Sequence, residues 1–275
     1  MEADVWHFDN DLYVGHNTAS LTRNRTFRSL YIDPLVAILD KMNSKTDFAN
    51  TTGHGVWDTD PEQELVLLVD LKTDGALTLP VVEQQLEPLR SKGYLTYFDG
   101  EKVVPGAITV VGTGNTPFDA LVANETYRDV FFDAPLDRLW DTPSTHADLN
   151  DVPETRALKK RDDGGQGNSG MGPDTPSSVF NRETSYYASI DFAAAVGGLW
   201  RGHLTPHQIY IIRGQIQGAK KHGLKTRYWN TPVWPISLRN HVWHVLVREG
   251  ADMLNADDLK AATRQDWKRF RQEWL

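Results

Sequence analysis

No cysteine occurs among the 275 residues. That excludes a disulfide framework, a thiolate nucleophile and a cysteine-held zinc, without fixing a compartment. Long apolar runs are missing too. None reaches the roughly 18 residues that a membrane-crossing helix needs, and the first residues do not read as a secretory leader. Positive charge is in short supply, with 29 Lys and Arg against 37 Asp and Glu and a net charge of -8. Such a balance argues against a nucleic-acid partner held by phosphate neutralisation. What remains is ordinary globular composition, 40% hydrophobic and 24% charged, enough for one large core. The length suits a single α/β barrel domain over residues 1–275. Three Asn-x-Thr sequons, at Asn24, Asn50 and Asn124, lean slightly towards the secretory route.

The dominant rhythm is strand, then helix. Glu64–Leu71 (ELVLLVDL) is a nearly continuous apolar run, as expected of a strand buried on both faces of a parallel sheet. A helix is expected from about Pro80 to Lys92, kinked at Pro88. Residues 107–111 and 128–133 read as strands with a short helix between them, and 186–190 as another strand. Thr205 caps a helix with Pro206 in its first turn, Ile209, Ile212, Ile216 and Ala219 on one face, and Gly223 at its end. Residues 225–230 form the next strand. Ser237 is expected to cap a helix with Leu238, Val242, Val245 and Leu246 inward, stopped by Gly250. Residues 251–256 give a last short strand. Repeated βαβ units predict an α/β fold, a TIM-type (β/α) barrel. About seven strands are legible, so EADVW is expected to be the barrel's second strand, with its first absent. From about Asp141 to Arg182 the chain is rich in Gly, Ser, Pro and charge, and reads as a long loop or partly disordered insertion.

The opening stretch, EADVWHFDNDLYVGH, carries the first chemistry. Residues two apart in a strand share a face, so Glu2 and Asp4 project together. Two close carboxylates need a cation, a basic partner or a shared proton. Magnesium, or calcium, prefers such oxygen ligands. Asp70 at the end of the most apolar strand supplies a third carboxylate, and Lys72 shares its face. An acid and a lysine among aliphatic residues are costly without partners. Three carboxylates around a cation, with a lysine beside them, suit an anionic substrate, and a phosphate fits best. His16 returns on the Leu12–Gly15 strand after the turn-like Asp9-Asn10-Asp11. It can protonate a leaving oxygen, because its pKa lies near neutrality.

The ordered set E-x-D, V-G-H, V-D-L-K-T, Y-W-N-T and a final D-M-L-N resembles the phospholipase-C-like phosphodiesterase superfamily. Glycerophosphodiester phosphodiesterases and sphingomyelinase D enzymes belong to it. Within it, the chain is most similar to the fungal altered inheritance of mitochondria protein 6 family, and the likeness spans essentially the whole chain. It implies a metal-dependent phosphodiester hydrolase with Mg²⁺ on Glu2, Asp4 and Asp70, His16 as general acid and Lys72 on the phosphate. It also places Trp229 beside the substrate and Asn255 as a polar group of the last strand. The implied substrate is a glycerophosphodiester or a lipid head-group phosphodiester. The family pattern has another catalytic histidine on a strand upstream of E-x-D. Nothing in the sequence matches it, so the chain is expected to be truncated there and its activity impaired.

Competing readings stay open. An inactive barrel that binds a metal or anion satisfies the same residues. Gly112-x-Gly114 after a strand, with Asp133 ending the next, mimics a dinucleotide-binding turn, although Pro117 occupies the third glycine position. A glycoside hydrolase needs carboxylates farther apart than Glu2 and Asp4 on one strand. His241 and His244, three apart, read as an exposed helix face. Trp6, Trp57, Trp140, Trp200 and Trp243 are expected to pack.

Overall fold

β1 (Glu2–Phe8) and β2 (Asp11–Val14) form an antiparallel hairpin with Val5 opposite Val14 and Phe8 opposite Asp11. Asp9 and Asn10 at its tip both take positive φ, 51° and 62°. That backbone suits a two-residue turn, and Asp and Asn tolerate it better than bulkier residues. The computed structural model describes residues 1–44, 48, 53–143, 176–199, 202–265 and 267. The described residues fall into two compact units. The first holds residues 1–133, 176 and 183–186; the second holds 134–143, 177–182 and 187 onwards.

In the first unit, α1 (Asp33–Met42) follows the hairpin after a π-helical turn. β3 (Leu65–Leu71) is buried almost throughout and pairs in parallel with β1. α2 (Gly75–Gln85) and α3 (Glu87–Arg90) come next. β4 (Tyr97–Phe98) and β5 (Val103–Val104) make a small antiparallel ribbon. β6 (Ile108–Gly114), α4 (Phe118–Val122) and β7 (Val130–Pro135), whose last two residues belong to the second unit, complete the series. The hydrogen-bonded order of these strands is β7-β6-β3-β1-β2, parallel except for the hairpin. Val5, Leu12, Leu67, Leu71, Val110 and Phe132 fill the core.

The second unit repeats the parallel design. β8 (Ser185–Asp191) starts in the first unit and continues here, followed by α5 (Phe192–Val196) and α6 (Pro206–Lys221). β9 (Lys225–Trp229), α7 (Ile236–Glu249), β10 (Met253–Leu254) and α8 (Leu259–Thr263) follow. β9 pairs in parallel with both β8 and β10. Tyr187, Phe192, Ile212, Tyr228, Trp243 and Leu246 form this core.

The α/β class and the parallel pairing match the sequence pattern. Several boundaries do not. The helix expected from Pro80 begins at Gly75, because the Asp74 side chain accepts from the Leu77 amide and starts it there. Pro80 lies inside α2, and Pro88 lies in the first turn of α3, where its missing N–H is harmless. α7 starts at Ile236 with Pro235 as its cap residue, so Ser237 is inside the helix. Trp57 is exposed and does not pack. His241 and His244 are half-buried, against the His203 and Trp267 rings respectively, so they do not form an exposed face. Of the expected insertion, 144–175 lies outside the described residues, as do Asn50 and Trp200. Its end is ordered around Phe180, which is fully buried. No helix among the described residues is long and apolar enough to cross a membrane.

Candidate metal and phosphate site

Alternation along β1 buries Ala3 and Val5 and turns Glu2 and Asp4 to the other face, Glu2 exposed and Asp4 half-buried. The parallel register sets Asp4 directly beside Asp70 of β3. Asp70 is only 4% exposed. Glu2, Asp4 and Asp70 each offer a carboxylate oxygen within 4.8 Å of the others.

Lys72 closes the cluster from the end of β3. Its backbone N–H donates to Val5 O at 2.9 Å, which locks the two strands together at this level. Its ammonium lies 2.6 Å from Asp70 Oδ2 and 3.0 Å from Asp4 Oδ1, with the side chain 5% exposed. Burial alone would lower the Lys72 pKa, but Asp70 and Asp4 outweigh it and hold it above its ordinary value. For Asp70 burial wins. It pushes the carboxyl up to about 6; Lys72 opposes the shift, and Asp4 and Glu2 add to it. One ammonium therefore does not balance the three acids.

His16, just past β2, brings Nδ1 to 3.8 Å from Asp4 Oδ2. Its side chain is 78% exposed, open to a ligand. The Tyr31 hydroxyl donates to the Glu2 backbone carbonyl at 2.7 Å. Burial, then Asp4 and Glu2, raise the Tyr31 pKa. The sequence held no signal for Tyr31, because only folding brings it across 29 residues to Glu2.

A hard divalent cation fits this donor set. Three carboxylates supply the oxygen ligands that Mg²⁺ or Ca²⁺ takes. Asp70 Oδ1 is buried without a hydrogen-bond partner among the described residues, an expensive state that a cation relieves. Gly114 makes room for that oxygen. Its φ is +67°, and a Cβ there would lie 2.1 Å from Asp70 Oδ1 and 2.8 Å from Leu71 O. The other glycine of the G-x-G turn, Gly112, sits against Thr116. Asp133 accepts from Thr113 at 2.8 Å. The turn that mimics a dinucleotide fingerprint thus supports the carboxylates, and its glycines answer to Asp70 and Thr116. The strand-end G-x-G was the signal that could have placed Gly114 in the site.

The structure brings together Glu2, Asp4, Asp70, Lys72 and His16. Trp229 and Asn255 belong to the second unit. Trp229 ends β9 and is half-buried. Asn255 follows β10, and its Oδ1 accepts from Arg227 at 2.7 Å. The cap of α8 is Asp258, whose side chain accepts from Ala261 N.

Comparison with known proteins places the chain in a family. Residues 1–133 match the AIM6-like phosphodiesterase domain, a stretch that contains all five clustered residues. Altered inheritance of mitochondria protein 6 homolog of Arthroderma benhamiae is 38% identical over 267 residues, covering 95% of this chain and 73% of that protein. Altered inheritance of mitochondria protein 6 of Lachancea thermotolerans is 34% identical over 280 residues, covering 96% of the chain and 59% of the relative. The Saccharomyces cerevisiae protein of the same name is 30% identical over 278 residues, covering 95% and 63%. The chain therefore spans about three-fifths of the two yeast relatives' length. No solved structure matches it.

Proposed function

The chain belongs to the altered inheritance of mitochondria protein 6 family, and on that premise we propose that it is a metal-dependent phosphodiester hydrolase on a (β/α) barrel. Its substrate is a glycerophosphodiester or the phosphodiester of a lipid head group. One observation carries the reading: three carboxylates within 4.8 Å of each other, with the buried Lys72 ammonium against two of them. Glu2, Asp4 and Asp70 are the residues that would hold Mg²⁺, with Ca²⁺ the alternative. Bound there, the cation supplies Lewis-acid polarisation of a phosphoryl oxygen.

The chain's own groups do the rest. Lys72 has a third N–H beyond its two carboxylate contacts, and it neutralises a phosphoryl oxygen. His16 donates a proton to the leaving alcohol oxygen as the P–O bond breaks. Asp4 lies 3.8 Å from His16 Nδ1 and helps position the imidazole for this transfer. Two nucleophiles suit the site. Attack by water leaves an open phosphomonoester; attack by a neighbouring substrate hydroxyl leaves a cyclic phosphate. The substrate contacts implied for Trp229 and Asn255 rest on the family resemblance alone.

The test is hydrolysis of a lysophospholipid and a glycerophosphodiester, followed by phosphorus NMR with and without Mg²⁺. Turnover that requires Mg²⁺ and is lost in Asp70→Asn supports the assignment, and the phosphorus shift identifies the product as open or cyclic. Mg²⁺ binding without turnover, in a folded sample, would favour a binding protein on the same scaffold.

A further inference from the structure

The connection between β9 and α7 runs N-T-P-V-W-P before α7 opens on Ile236. Loops at this position are ordinarily polar. Here Val233 is 71% exposed, Trp234 74% and Ile236 52%. The Trp234 indole makes no hydrogen bond or ring contact among the described residues. Leu259, 71% exposed, opens α8. It adjoins Asp258, which an ion pair at 3.1 Å ties to Arg239 in the first turn of α7. Four large apolar side chains thus stand in water on neighbouring segments at the carboxyl ends of β9 and β10. Clusters of this kind mark an interaction surface.

Charge indicates what the surface meets. From Phe192 to Arg248 there is no Asp or Glu, while eight Lys and Arg occur. From Phe192 to the end the balance is 13 basic against six acidic residues; before it, 16 against 31. A chain of net charge -8 therefore ends in a segment that is net positive. Two of the acids near the apolar loop are already engaged, while Asp257 is exposed. Both oxygens of Asp191 accept from Asn230 Nδ2, at 3.1 and 3.0 Å, and Asp258 holds Arg239. Lys260, beside Leu259, is exposed. Tryptophan with short aliphatic neighbours on a positively charged region has the chemistry of a lipid–water interface. The apolar groups enter the acyl boundary, the indole stays at headgroup level, and the basic groups face anionic headgroups.

We propose that Val233–Ile236, with Leu259 beside it, is a docking element for an anionic phospholipid surface. The choice of a lipid surface rests in part on the phosphodiesterase reading and narrows its substrate to a diester presented in a lipid aggregate. Self-association of two copies through the same cluster is the rival occupant, and the test separates the two.

The experiment is co-sedimentation of the full chain with phosphatidylcholine vesicles, with and without phosphatidylserine. Wild type is compared with the triple variant Val233→Ser, Trp234→Ser, Ile236→Ser and with Asp70→Asn. Circular dichroism and sedimentation equilibrium are run on each. Wild type and Asp70→Asn are expected to bind the phosphatidylserine vesicles. The triple variant is expected to lose about tenfold or more in partition while keeping its fold and its turnover of a soluble glycerophosphodiester. No vesicle binding by wild type, or equal binding by the triple variant, overturns the proposal. So does a wild-type dimer that the triple variant abolishes, which assigns the patch to self-association. Vesicle binding without turnover of any diester would sink the hydrolase and leave the docking element standing.

Discussion

Asp70 Oδ1 lies against a position that tolerates no side chain. Gly114→Ala would put a Cβ 2.1 Å from that oxygen on a backbone with φ +67°. The left-handed conformation alone costs a non-glycine residue about 1–2 kcal/mol. The larger consequence is displacement of a carboxylate from the cluster. Mg²⁺ affinity by titration calorimetry should fall about ten- to a hundredfold, the range typical of damage to a ligand's support. Unchanged affinity would remove Asp70 from the metal site. Lys72 makes the complementary case. Lys72→Met leaves Asp4 and Asp70 without their ammonium in a buried setting. Breaking such a pair costs about 3 kcal/mol or more. A divalent cation compensates the same charges, so Mg²⁺ should raise the melting temperature of Lys72→Met more than that of wild type. An equal rise in both proteins would mean that the ion binds elsewhere.

At the scale of elements, α6 shows how local sequence sets a boundary. Thr205 Oγ1 accepts from the Gln208 amide at 3.3 Å, and Gln208 Oε1 accepts from the Thr205 amide at 2.9 Å. Gln208 also donates to Val196 O at 2.9 Å, tying the helix start to the end of α5. Thr205→Ala should cost about 1 kcal/mol in urea unfolding, mostly from the lost cap. α7 predicts a pH dependence. Burial, then the nearby His203, Arg248 and His244, hold His241 below its ordinary pKa. Burial does the same for His244, against a weaker opposing hydrogen bond from Gln265. Both are more readily protonated in the unfolded chain, so protonation favours unfolding. Their contribution is complete above the unfolded value of about 6.5 and is lost as pH falls towards the folded values. Urea midpoints between about pH 7.5 and 5 should drop less in the double variant His241→Gln, His244→Gln than in wild type. A parallel drop in both proteins would place the acid sensitivity elsewhere.

For the whole molecule, the two units differ in what they contain. Glu2, Asp4, Asp70, Lys72 and His16 all lie in the first. A cation bound only to the folded state adds about 2.7 kcal/mol of stability at a hundredfold excess over its dissociation constant. Hydrogen exchange with saturating Mg²⁺ should therefore slow amides of β1 and β3 most, with smaller effects between Tyr187 and Leu254. Equal slowing throughout would show that the two units open as one cooperative body.

Much of this was legible in the sequence because it depends on local periodicity. The apolar run Glu64–Leu71 gave β3, the turn-like Asp9-Asn10-Asp11 gave the hairpin with Asp11 already in β2, and Thr205-Pro206 gave the start of α6. The two-residue spacings in E-x-D and D-L-K put each pair on one face of its strand by geometry alone. Boundaries that depend on a single side chain were less accessible. Asp74 moved the start of α2 five residues towards the amino end, and Pro235 displaced Ser237 as the α7 cap. By itself, then, the sequence determined the α/β class, the order of strands and helices, and the residue types of the carboxylate cluster. Tertiary structure decided what a one-dimensional pattern does not contain: the register that sets Asp4 beside Asp70, the arrival of Tyr31 at Glu2, the space Gly114 leaves for Asp70 Oδ1, and the exposure of Val233, Trp234 and Ile236. Each depends on contacts between segments far apart in the chain, or on which contacts are never made, and both are fixed only when the strands pack.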